Sequence, residues 1–228
     1  MNTLSQANKM LPDATTSMTH SVATDALTSS RAQLQEASLS LDEQLAIYQQ
    51  RRFLAVPLAG AIVWSLFAVT GALLSPFAAC MAIFFGSGCI IYLAMFLTRF
   101  TGESLKFKSG KERNFFDSIF LSTVAMCLCM NALAIPLFWE NYTTLAMSYG
   151  ILLGAMWLPI SVVLKHNVGF IHGIARTVGC FMAWYLAPEH ALVTVPLVVV
   201  GCYVVSIVQL ERRWATMQAA MKTTARSL

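Results

Sequence analysis

Charged residues are scarce in this sequence. Asp, Glu, Lys and Arg make up 11% of its 228 residues, against roughly 25% in an average soluble domain. Hydrophobic residues reach 57%, and a chain this short cannot hide that much apolar surface in one small core. Lipid is the natural alternative solvent. Other absences narrow the function. No C-x-x-C pair occurs, and Cys80, Cys89, Cys127, Cys129, Cys180 and Cys202 all fall inside apolar runs. They read as small apolar residues, not as a disulfide framework or a thiolate metal site. There is no H-E-x-x-H, no G-x-S-x-G and no phosphate-cradling G-x-x-x-x-G-K. The histidines His20, His166, His172 and His190 fall at different depths, so they cannot share a metal. Paired intramembrane carboxylates are missing too, which argues against a proton relay built on buried acids. The expectation is a protein that is not an enzyme and carries no cofactor or metal. The net charge of +4 sits in short segments between apolar runs, which is a topology signal and excludes a nucleic-acid surface.

What is present begins with a polar leader. Residues 1–30 are rich in Ser, Thr, Ala, Asn and Gln and are expected to form a disordered cytoplasmic tail. No basic segment near the start of the sequence runs directly into an apolar one, so no cleavable signal is expected. Residues 31–52 form a candidate amphipathic helix. Ser40-Leu41-Asp42-Glu43 fits a capping box, and Leu41, Leu45 and Tyr48 follow at helical spacing. That stripe suits the membrane surface, a protein partner, or a lead into the first span.

Six apolar segments follow, at Leu54–Leu74, Phe77–Thr98, Phe116–Phe138, Thr143–Leu164, Gly169–Leu186 and Ala191–Leu210. A spanning helix needs about 20 residues, and lipid offers its backbone no other hydrogen-bond partner. The expected fold is therefore all-α: an integral membrane bundle of six transmembrane helices over residues 53–210, arranged as three hairpins, with residues 211–228 as a cytoplasmic tail. Every Lys and Arg except Arg176 falls on one side of that arrangement. The positive-inside rule makes it the cytoplasmic side of the cell (inner) membrane. The loops Ser75-Pro76, Trp139–Tyr142 and Ala187–His190 hold no Lys or Arg. Trp139, Tyr142, Trp184 and Tyr185 form an aromatic belt at the outer boundary. Lys106, Lys108 and Lys111 in the longest inner loop fix topology, with a secondary capacity to attract anionic headgroups. The two halves show no repeat.

Arg176 is the one basic residue that topology leaves unexplained. His172 precedes it by one helical turn and shares its face. Arg176 lies roughly 10 Å along the helix from Gly169 at the usual rise, so it faces a cavity or snorkels to the inner interface. Candidate partners are Asp117 at the inner end of the third span, and Asn131 or Tyr149 at mid-depth. Gly150 with Gly154, Gly169 with Gly173, and Ala175 with Gly179 have small-xxx-small spacing, which favours close helix packing within one subunit or in a homo-oligomer. Pro159 and Pro196 lie deep enough in their spans to kink them.

The run Ile62-Val63-Trp64, then Leu74-Ser75-Pro76 and Phe84-Phe85-Gly86, resembles the first hairpin of a bacterial membrane family known as domain of unknown function 7010. Gly154-Ala155-Met156-Trp157-Leu158-Pro159 is similar to that family's small, aromatic and Leu-Pro pattern late in a helix. The resemblance covers about residues 45–210 and implies a small multi-pass inner-membrane protein. It brings no activity and no functional residues. The leading expectation is a small transporter or channel-like protein. The alternative is a non-catalytic interaction or assembly protein using its N-terminal helix, and an intramembrane lipid enzyme ranks last.

Overall fold

The computed structural model describes residues 39–103 and 114–226. The tail over residues 1–30, the first part of the expected 31–52 helix, and Lys106, Lys108 and Lys111 lie outside them. The described residues are helical, with no strand among them. Helix α1 is Leu41–Gln49 and α2 is Ala55–Leu73. Helices α3 (Pro76–Ser87) and α4 (Cys89–Thr101) follow, then α5 (Phe115–Glu140). Next come α6 (Thr144–Ala155), α7 (Trp157–Leu164), α8 (Val168–Leu186), a 3-10 turn at Pro188–His190, and α9 (Ala191–Arg226).

Local chemistry explains the boundaries. Pro76 opens α3 at a position where its missing N–H costs nothing. Gly102, at φ +72°, closes α4 in the left-handed conformation. The Asn114 side chain caps α5 by accepting from the Phe116 amide. Pro159 cannot donate to the Ala155 carbonyl, and its ring crowds that carbonyl. The helix accordingly breaks at Met156, between α6 and α7. Pro196, by contrast, lies inside a helix that runs on.

Among the described residues, four stretches are long and apolar enough to cross a membrane: Ala55–Leu73, Phe115–Glu140, Thr144–Leu164 and Pro188–Thr223. The pair α3 and α4 makes a fifth if it counts as one span. It is bent by 53° at Gly88, so the expected helical segment over Phe77–Thr98 is two pieces. Helix α8 is 19 residues long, as α2 is, but it carries His172 and Arg176 and is not among the four. The last helix does not stop at Leu210 and continues to Arg226.

The centre of the bundle is α9 packed on α2 and on α8, with α6 against both α8 and α9. Ala55, Ala59, Val63 and Phe67 form the buried stripe of α2 at four-residue spacing. Helix α5 is peripheral and touches α6 and α7. It buries only Thr123, Cys127 and Ala134 and turns Leu128 outward at 67% exposure. Such an apolar outer surface, continued by Leu73, Phe85 and Tyr92, suits lipid and not water.

Helix α1 folds back onto the basic end of the bundle. Tyr48 is buried against Phe53 and Phe116, with ring centroids 5.2 and 5.9 Å away. Gln49 donates to the Val163 carbonyl at 2.7 Å, and Arg213 donates to the Gln49 carbonyl at 2.6 Å. Tyr48 is thus part of the protein's own core, while Leu45 is half-buried.

Candidate polar site within the bundle

Close packing creates the site. A Cβ at Gly169 would collide with the Trp157 carbonyl oxygen, and one at Gly173 would lie 2.8 Å from Leu158. These two glycines bring α8 onto α7. Gly150 and Gly154 bring α6 against Cys180 and the Arg176 stem, and Gly179 lies against Val198. All five glycines singled out for packing therefore sit at contacts made by α8.

Arg176 is fully buried and His172 is 2% exposed. Arg176 Nε donates to the Gly150 carbonyl at 2.5 Å. Its Nη1 donates to Tyr203 Oη at 3.1 Å and lies 3.4 Å from His172 Nε2. A guanidinium only donates, so Nε2 is the acceptor and the proton sits on Nδ1. That proton points to Ser206 Oγ at 2.8 Å, and Ser206 in turn donates to the Cys202 carbonyl at 2.9 Å. The imidazole is therefore neutral. Trp157 stacks on it with centroids 4.5 Å apart.

No carboxylate neutralises Arg176 among the described residues, whose ion pairs are Arg51–Asp117 and Arg52–Glu211. A cation at helix centre costs ~2.5–3.5 kcal/mol on insertion scales. Here two aromatic faces offset part of that: Cζ lies 5.0 Å from the Trp64 centroid and 5.3 Å from that of Tyr203. Desolvated cation–π contacts contribute up to about 2 kcal/mol each. Within this cluster two buried donors find no acceptor, Arg176 Nη2 and Trp64 Nε1.

The structure divides the polar residues read from the sequence. It joins Arg176 to His172. It joins Tyr149 to Asn131 as a separate pair at 2.5 Å. It places Asp117 elsewhere, in the first turn of α5, bonded to Arg51 at 2.8 Å. Asp117 belongs at the basic end because that is where α5 begins. The sequence reading missed Trp64, Trp157, Tyr203 and Ser206. Tyr203 and Ser206, three residues apart within an apolar helix, were the available signal. Among the described residues, no cluster of His, Cys, Asp and Glu could hold a metal.

A cavity of about 470 Å³ opens at the basic end, lined in part by Arg51, Arg52, Glu103, Asp117, Trp157 and Trp214. Arg52 grips Glu211 through Nε and Nη2, donates to the Thr101 carbonyl at 3.1 Å, and lies over Trp214. Glu103 Oε1 accepts from the amides of Leu54 and Ala55 at 2.8 and 2.9 Å, closing the start of α2. Burial raises the Glu103 pKa in spite of those bonds. Burial, and then the Asp117 carboxylate, push the Tyr48 phenol up to about 12. Trp157 belongs to both regions, because it walls the cavity and stacks on His172.

No curated protein and no solved structure matches this chain. One family model does, described as "Family of unknown function (DUF7010)", over residues 42–213. That match runs from the start of α1 to Arg213 within α9 and takes in Trp64, Trp157, His172, Arg176, Tyr203 and Ser206, and the chain therefore belongs to the DUF7010 family, whose function is unknown.

Proposed function

We propose that the chain is a six-span protein of the cell (inner) membrane, with both termini cytoplasmic, acting as a small transporter or channel-like protein. The bent pair α3–α4 serves as the second span. Helix α8 serves as the fifth, since its polar groups turn into the bundle and not toward lipid. The three hairpins then point outward, away from the basic end. Reporter fusions after Tyr142 and after Leu228 are expected to report opposite sides of the membrane. Identical signals would remove the six-span reading.

One observation carries the transport reading: the basic-end cavity and the buried Arg176–His172 cluster share a single side chain, Trp157. A solute in that cavity is one ring away from polar groups deep in the bundle. Met156, where α6 gives way to α7, also lines that cavity. The test is stopped-flow light scattering of vesicles reconstituted with the full chain. The panel is sodium chloride, sodium nitrate, sodium formate, potassium gluconate and glycerol. At least one solute is expected to equilibrate faster than in protein-free vesicles. Equal rates across the panel would sink the reading.

A further inference from the structure

We propose that the bundle interior binds one small monovalent anion, of the size of chloride, nitrate or formate, against Nη2 of Arg176 and the indole N–H of Trp64. This names the solute class for the transport reading and rests on that reading only for the route past Trp157.

The chemistry of the enclosure selects the ligand. Both orphan groups are donors, and both are buried. They belong to one stacked pair, with the guanidinium carbon 5.0 Å from the Trp64 ring centroid. The remaining donors of Arg176 are committed to Gly150, Tyr203 and His172. His172 offers its lone pair to Arg176 and its proton to Ser206, so it adds no second positive charge. One uncompensated positive charge with two kinds of unsatisfied donor calls for one negative charge that only accepts. A buried charge without a partner is the arrangement that proteins avoid. Size follows from the walls. Trp64, Tyr203 and His172 crowd the guanidinium, and a Cβ on Gly154 would lie 2.9 Å from Arg176 Cδ. A bulky organic anion does not fit among these groups. Access runs from the basic-end cavity past Trp157, whose ring separates that cavity from His172.

The experiment reads binding without transport. The full chain in neutral detergent is heated at constant sodium and ionic strength while gluconate is exchanged for chloride, nitrate or formate. The fraction remaining monodisperse is measured by size-exclusion chromatography. A ligand that binds only the folded state raises the midpoint saturably. Wild type is expected to show saturation with at least one of the three anions. Arg176→Gln is expected to lose it. Trp64→Phe keeps a ring over the guanidinium and removes the indole donor, so its apparent affinity is expected to fall on the order of tenfold. Without the small anions, Trp64→Phe is expected to melt modestly lower than wild type, because the smaller ring leaves a cavity at a fully buried position, a cost partly offset by deletion of an unsatisfied donor. If Arg176→Gln does not fold, Trp64→Phe decides. No saturation in wild type, or unchanged affinity in Trp64→Phe, overturns the site. Saturable binding with no flux would remove the transport reading and leave the anion site standing. Flux without binding would do the reverse.

Discussion

Gly169→Ala is expected to destabilise the bundle by at least about 2 kcal/mol, in the upper part of the range for overpacked cores. The added methyl would land on the Trp157 carbonyl oxygen and 2.8 Å from Ser161 Oγ. Neither can rotate out of the way. The first is backbone. The second accepts from the Phe170 amide and donates to the His166 carbonyl, both at 2.8 Å, and so holds the corner between α7 and α8. Helix α8 must instead lift from α7, which unstacks Trp157 from His172. Gly201→Ala is the matched control. Its Cβ would meet nothing within 4 Å, so the helix-propensity gain of roughly 0.5–1 kcal/mol should appear unopposed. Reversible unfolding in mixed micelles measures both variants. Equal stabilities for the two would show that the α7–α8 contact is not the tight one described above.

Arg176→Gln should give the largest functional effect. Two opposing terms keep the protein folded. Three bonds are lost or lengthened, to Gly150, Tyr203 and His172, each contributing ~0.5–1.5 kcal/mol net and up to ~3 where the charge participates. Against that, an unpaired cation at helix centre disappears, which returns ~2.5–3.5 kcal/mol. All three bonds involve the charged guanidinium, so their sum, roughly 4.5–9 kcal/mol, exceeds that return, and a folded variant with a lowered melting midpoint is expected. Any solute whose flux the wild type accelerates in vesicles should then cross at least tenfold more slowly, since its one buried positive charge is gone. Undiminished flux would detach Arg176 from the transport reading. A collapse of expression rescued by Arg176→Lys would give the cation a structural role instead.

The helical class was legible because apolar runs of about twenty residues have few other stable homes. Helix ends were legible to within a residue or two where a polar residue or proline marks them, as at Asn114, Thr144 and Leu164. The bend at Gly88 was not. Glycine inside an apolar run costs little by composition, and the bend depends on how α3 and α4 pack on α2. The full length of α9 was not legible for a different reason: a change of solvent at Leu210 is not a helix stop, and no glycine or proline follows it. Arg176 and His172 were legible because polar groups stand out in an apolar segment. Their aromatic enclosure was not, because Trp64, Trp157 and Tyr203 come from three other helices and look like ordinary core residues until those helices are assembled. Asp117 drew attention for its charge, but the direction of α5 assigns it to the ion pair with Arg51 in the wall of the basic-end cavity.

The orientation of the Arg176–His172–Ser206 chain has one more consequence. Every hydrogen in it points the same way, from the guanidinium through the imidazole and the hydroxyl to the backbone oxygen of Cys202. A Grotthuss wire needs a donor that gives up its proton at one end and a base that accepts one at the other. Here the first member does not deprotonate, and the last is an amide carbonyl. The row is a fixed dipole inside the bundle and not a proton relay.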